Sequence, residues 1–228
     1  MLYELYLIMY DLRLKRDFRF LIVAPSQAGK TVFTKRLLEA KEQLFEVKSA
    51  YTVYFYNLYQ PIFDEMKACV DEFRQGVPSL ADIEEISKPY IHNGGVTIVL
   101  DDFAQHVTKD IAELFSVGSH HNHVSIFWLC QNLYGRNKFQ RDLSLNATYI
   151  AFFKSPRDNT TIKTFARQCS FYDNSQYIVD AYRTVTSRPY GYLFFDFHQK
   201  TPDALRIRSD ILPHEAPMKV WIPKNCTI

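Results

Sequence analysis

The hydrophobic pattern changes period several times along the chain. Residues 18–23 (FRFLIV) form a nearly continuous apolar run, which is how a strand buried on both faces reads. Over residues 31–44 the apolar positions Val32, Leu37, Leu38 and Leu44 fall near helical spacing, with Lys and Glu between them. The β-branched and aromatic run YTVYFY (51–56) predicts a second strand. Residues 61–75 read as a helix, because Ile62, Phe63, Met66, Val70 and Phe73 recur every three or four positions. A shorter helix is expected at 80–86 and a turn at Asn93-Gly94-Gly95.

The second half repeats the alternation. Strands are expected at 96–100 (VTIVL), 124–129 (VSIFWL) and 148–153 (TYIAFF), and helices at 110–117, 160–169 and 176–184. Residues 190–197 and 205–208 predict a closing antiparallel pair, and residues 2–14 a leading strand. Strands alternating with helices imply an α/β fold: a mostly parallel sheet with helices on both faces. Ligands of such sheets bind beyond the carboxyl ends of the strands, where the polar residues singled out below are all expected to fall.

Composition adds bounds. The 228 residues are 47% hydrophobic and hold no low-complexity tract or linker-like stretch, so one domain spanning 1–228 is expected. A net charge of +2 is too small for a protein that merely coats nucleic acid, but it permits contact through a few loops. Cys69, Cys130, Cys169 and Cys226 lack metal-binding or redox spacing and read as reduced thiols of an intracellular protein. The opening MLYELYLIMYDLRLKRDF carries Glu4 and Asp11, lacks a basic head, and is too short and charged for a signal peptide or a bilayer span, so no membrane partner is expected.

The chemistry begins at VAPSQAGKT. Between a buried strand and a helix, such a loop can wrap a phosphate with backbone N–H groups. The nucleotide-binding set is Ala24, Pro25, Ser26, Gln27, Ala28, Gly29, Lys30 and Thr31. Gly29 lets the backbone approach, Lys30 reaches the β- and γ-phosphates, and Thr31 offers a hydroxyl to Mg²⁺. Ala24 stands where the pattern usually has glycine, which is tolerable unless that position needs positive φ.

The strand at 96–100 delivers Asp101 and Asp102 to its end. Asp101 is the metal-side carboxylate, and Asp102 is placed to polarise the attacking water. Gln131 and Asn132 end the next strand, and Gln131 can sense a γ-phosphate and orient water. Arg141, then Arg157, are candidate guanidiniums supplied to a neighbouring subunit's site, with Arg136 and Arg141 read as loop residues. Lys138 and Arg136 are candidate DNA contacts. His120, His121 and His123 do not match zinc spacing and read as a polar loop facing the nucleotide or DNA.

Taken together, APSQAGKT, VTIVLDDF, the span from SHHNHVSIFWLCQN through RDLSLN to SPRD, and SRPYGYLFFDFHQKTPDALRIRSDILP resemble the FtsK–HerA-type genome-packaging ATPases of double-jelly-roll DNA viruses, and most of all the Maverick/Polinton, adintovirus-like branch. The likeness covers residues 19–213. It implies a RecA-like, additional-strand P-loop NTPase, a three-layer sandwich. It further implies ATP and Mg²⁺ as cofactors, Lys30 and Thr31 on phosphates and metal, Asp101 and Asp102 as the acidic pair, and Gln131 as sensor. The implied partners are duplex DNA bound without sequence preference, further copies of the chain in a ring of five or six, and a viral capsid vertex. The implied location is the infected cell's nucleus or viral factory, or the virion. Two rival readings are a P-loop small-molecule or nucleoside kinase and a nucleotide-binding remnant that does not hydrolyse.

Overall fold

A computed structural model describes residues 10–103, 109–115, 123–134, 138–169 and 175–223. The described elements run, in chain order, β1 (Arg19–Val23), α1 (Lys30–Glu39), α2 (Lys41–Leu44), β2 (Tyr51–Tyr56), α3 (Ile62–Met66), β3 (Glu72–Gln75), α4 (Leu80–Ser87), β4 (Val96–Asp101) and α5 (Lys109–Glu113). They continue with β5 (Val124–Cys130), α6 (Lys138–Asn146), β6 (Tyr149–Phe153), α7 (Thr160–Gln168), α8 (Gln176–Val185), β7 (Tyr192–Asp196), β8 (Ile207–Ser209) and β9 (Lys219–Val220).

The strands form one sheet of nine, ordered β3-β2-β4-β5-β1-β6-β7-β8-β9. The pairings from β3 to β6 are parallel, and those from β6 to β9 antiparallel. β1 is central, with Phe20 opposite Phe127 on one side and Tyr149 on the other. The alternation of side chains splits its residues between two cores. Leu21 and Val23 join the apolar layer under α4 to α8, while Phe20 and Ile22 join the layer under α1 and α3. The second layer is rich in rings: Phe20 lies edge-on to Phe33 and Phe194, at 6.4 and 5.5 Å. Helices on both faces make three layers, as expected from the alternating pattern.

Several expectations need correction. Residues 61–75 are not one helix. The helix ends at Met66, and residues 72–75 form edge strand β3, parallel to β2. Phe73 is the one apolar residue of 72–75, so periodicity does not discriminate there. Ladder bonds decide it: Asp71 N donates to Thr52 O and Gly76 N to Tyr56 O, while Phe73 stacks on Phe63 at 5.4 Å. The helix expected over 31–44 breaks at Ala40 (ψ 15°), which turns the chain so that Phe45 stacks on Phe18 at 5.4 Å. Residues 138–146 form helix α6 where a loop is expected, so Arg141 is helical. Of the leading strand, residues 2–9 lie outside the described residues, and residues 10–14 contribute only an isolated bridge between Leu14 and Phe45. The helix expected at 110–117 is described over Lys109–Glu113, and residues 116 and 117 lie outside the described set. Helix α4 starts where Ser79 and Asp82 cap each other reciprocally, a pairing of short polar side chains that satisfies two backbone donors.

Candidate nucleotide site

The loop after β1 is anchored before it turns. Ala24 is fully buried, and its N–H donates to Cys130 O at 3.0 Å. Left-handed φ falls on Gln27 (64°) and Gly29 (93°), not on Ala24. Alanine therefore stands where no glycine-only conformation is required. Ala28 N closes the turn on Pro25 O (3.2 Å), and Phe33 N on Gly29 O (2.9 Å) begins α1. The free N–H groups of a helix amino end follow directly from this geometry.

Lys30 is folded back on its own loop. Its Nζ donates to Ala24 O at 2.8 Å and Pro25 O at 3.3 Å. Burial lowers its pKa, opposed first by the charge of Asp101 and less by Cys130 and Asp102. A phosphate arriving at the loop offers stronger, charged acceptors than those two carbonyls.

β4 ends on Asp101, which is 4% exposed. Its Oδ2 accepts from the Tyr54 phenol at 2.8 Å and from Gln60 Nε2 at 3.4 Å. Burial raises the Asp101 pKa, while the Tyr54 hydrogen bond and Lys30 pull it down. The Tyr54 phenol is pushed well above its ordinary value by burial and then by Asp101, and an interaction with Thr31 opposes that shift. Thr31, Tyr54 and Asp101 thus share one hydroxyl-rich corner. Asp102, by contrast, is exposed and left-handed (φ 64°), and its Oδ1 accepts from Gln131 Nε2 at 3.0 Å. The buried Cys130 thiol beside them is held up to about 12 by desolvation, which makes it inert.

These residues line one cleft of about 860 Å³, which also includes Arg36, Arg188, Tyr190 and Glu215. Lys30 and Thr31 open α1 after the loop that follows β1, Asp101 and Asp102 sit at the end of β4 and Gln131 just past β5, and all five line the cleft at the carboxyl rim of the sheet. Ser26, Gln27 and Gly29 of the loop line it too. Arg141 and Arg157 are exposed and are not among its lining residues. The loop residue Arg136, together with His120 and His121, lies outside the described residues, as does the side chain of Lys138. His123 corrects the nucleotide-facing alternative: it precedes β5, at the opposite rim, and its Nδ1 meets Asp17 Oδ2 at 3.2 Å. Sequence reasoning missed Tyr54, because YTVYFY reads as plain core, and Gln60, which lies in the loop after it. It also missed Arg188 and Tyr190, for which the compact turn SRPYG before a strand was the available signal.

The donor set suits Mg²⁺ held partly by nucleotide. A threonine hydroxyl and one buried carboxylate converge, and no group of three His, Cys, Asp or Glu side chains able to hold a metal occurs among the described residues. Strand β5 lies between the loop strand β1 and the acidic strand β4.

A loop of this form on a mostly parallel sheet with a strand interposed before the acidic pair defines a P-loop NTPase fold. Solved structures share it. The genome-packaging NTPase B204 of Sulfolobus turreted icosahedral virus 2 in complex with sulfate superposes with a TM-score of 0.58 at 16% identity, over 92% of this chain and 98% of that one. Its complex with ATP-γ-S gives 0.55 at 15% identity, over 91% and 98%. B204, the DNA-packaging ATPase from Sulfolobus turreted icosahedral virus, gives 0.55 at 12%, over 92% and 99%. Neither a protein-family model nor a curated protein sequence matches the chain.

Proposed function

We propose that this chain is an ATP-hydrolysing motor that packages duplex viral DNA, acting as a ring of identical subunits at a capsid vertex, in the Maverick/Polinton branch of the packaging ATPases. The observation that carries the reading is the convergence of Lys30, Thr31, Asp101, Asp102 and Gln131 on one cleft. The interposed strand β5 favours a hydrolase over the kinase alternative, since it is what brings Gln131 beside Asp102. The fold neighbours bind ATP-γ-S and are packaging NTPases, which supports the same substrate here.

In this reading Lys30 leaves the carbonyls of Ala24 and Pro25 to neutralise the β- and γ-phosphates. Thr31 and Asp101 would hold Mg²⁺, which when bound neutralises phosphate charge and orients the triphosphate. A γ-phosphate competes for the Gln131 amide, releasing Asp102 Oδ1 to hold the attacking water. Hydrolysis removes that competitor and Gln131 returns to Asp102, which couples phosphate release to the end of β5. Arg141 or Arg157 of a neighbouring subunit completes the charge balance, and the loops lining the pore grip DNA through its phosphates, so binding weakens steeply with salt.

The test is phosphate release measured with and without duplex DNA, across protein concentrations, for the native chain and Lys30→Ala. Hydrolysis that needs no acceptor, rises with DNA and with protein concentration, and disappears in the variant is expected. Undiminished DNA-stimulated hydrolysis by the variant would overturn the scheme.

A further inference from the structure

The phosphate end of the cleft is accounted for by β1, β4 and β5. Its other end is built by the antiparallel strands. β7 runs against β6, so it starts at the rim where β6 ends, with Tyr192 opposite Phe153. β8 runs against β7 and therefore finishes at that same rim. The segment entering β7 (187–191, SRPYG) and the segment leaving β8 (210–216) consequently both land beside the phosphate loop, and Arg188, Pro189, Tyr190, Asp210, Glu215 and Ala216 all line the cleft.

Within that end, Tyr190 is unusual in three ways. Its side chain borders the cleft yet the residue is 69% exposed, a large ring left uncovered. Its φ is 59°, a left-handed conformation that costs a bulky residue about 1 kcal/mol or more and persists only where surroundings impose it. Its ring also abuts the phosphate loop: a Cβ placed on Gly29 would lie 3.2 Å from Tyr190 Cδ1.

The surroundings that impose it are rigid. Gly191 passes so close to α8 that a Cβ there would sit 2.0 Å from Val185 O. Arg188 pairs with Asp210, which is itself left-handed (φ 59°) and 3% exposed. Below them the Tyr192 phenol donates to Glu215 Oε2 at 2.6 Å and accepts from Ile211 N at 3.0 Å. Glu215 Oε2 also accepts from Leu212 N at 3.3 Å. Asp210 Oδ2 accepts from Ser209 Oγ at 3.1 Å. The carboxylates at this end are thus committed to holding the turn rather than to reading a ligand.

We propose that Tyr190 is the platform on which the nucleobase of a bound nucleoside triphosphate stacks, and that recognition at this subsite is by ring surface rather than by base edge. The inference rests on the nucleotide reading given above and deepens it. A triphosphate held by Lys30 and Thr31 leaves along the first turn of α1, past Val32, an exposed apolar side chain lining the same cleft. The base then meets an exposed aromatic face whose position is fixed in advance, which reduces the ordering cost of binding. Stacking accepts every base and favours the larger purine rings, so ATP and GTP bind alike and CTP more weakly.

Calorimetric titration of the native chain, Tyr190→Asn and Tyr190→Phe with ATP, GTP, CTP and inorganic tripolyphosphate, all with Mg²⁺, tests this. Asparagine tolerates the left-handed backbone, so that variant removes the ring without unseating the turn. Tyr190→Asn is expected to lose about tenfold to a hundredfold in ATP affinity while keeping its tripolyphosphate affinity, and Tyr190→Phe to bind ATP like the native chain. Equal ATP affinity in the native chain and Tyr190→Asn overturns the platform, as does ATP discriminated strongly from GTP. A native chain that binds neither ATP nor tripolyphosphate overturns the underlying nucleotide reading instead.

Discussion

The phenol of Tyr54 donates a 2.8 Å hydrogen bond to Oδ2 of Asp101. The two residues are 47 positions apart and come together because β2 and β4 pair in parallel, with Tyr56 opposite Asp101. This bond bears on how readily Asp101, the proposed metal-side carboxylate, ionises, because burial drives its pKa up and the phenol drives it down.

Tyr54→Phe removes the lowering influence and leaves the burial. The Asp101 pKa should rise further, so the carboxylate stays protonated to higher pH. The acid limb of the pH profile for Mg²⁺-dependent kcat/KM is expected to move to higher pH, with the plateau above it retained. A profile superposable on that of the native chain would contradict this.

Asp101→Asn tests the same carboxylate through stability. A folded-state pKa above 3.8 means that the folded chain holds this proton more tightly than the unfolded one. The resulting stabilisation is present below the unfolded value and is lost as pH rises through the folded one. Asparagine cannot titrate, so the native-minus-variant difference in unfolding free energy should fall as pH rises from the ordinary carboxylate value of 3.8 through the higher folded-state one. Urea denaturation across that range measures it, and Mg²⁺-dependent turnover should be lost at every pH.

Gln131→Ala removes the amide that holds Asp102 Oδ1. Turnover should fall on the order of a hundredfold while ATP affinity stays close to native, because the amide acts on Asp102, the proposed water-orienting group, rather than on the bulk of the nucleotide. Steady-state kinetics together with equilibrium nucleotide binding separate the two effects.

Gly29→Ala places a side chain where φ is 93° and where Tyr190 must yield by a few tenths of an ångström. The cost is expected to be about 1–2 kcal/mol of stability. A shifted urea midpoint and weaker tripolyphosphate binding are the readouts.

Asp196 and Arg208 form a buried ion pair on β7 and β8, and the guanidinium lies 4.9 Å from the centre of the Phe194 ring. Asp196→Ala strands a charge at a residue 1% exposed and should cost about 3–5 kcal/mol. Changing both partners to Leu and Met should recover most of that loss in urea denaturation, since the stranded charge is then gone.

What the sequence determined by itself was local. The run FRFLIV followed by APSQAGKT and a helical period specifies strand, loop and helix, and the loop's phosphate chemistry depends on backbone N–H groups within those few residues. VTIVLDD and VSIFWLCQN likewise announce strands ending in polar groups. The tertiary structure decided what lies beside what. Only the sheet order sets β5 between β1 and β4 and so brings Gln131 to Asp102. Only the β2 ladder makes residues 72–75 a strand, because their single apolar residue, Phe73, defines no period and the backbone hydrogen bonds are long-range. Tyr54 carries no local mark of function, and around Arg188 and Tyr190 the run SRPYG marks only a turn. Their positions at the cleft arise from parallel and antiparallel pairing, which delivers strand ends distant in sequence to one rim, and no window of neighbouring residues encodes that.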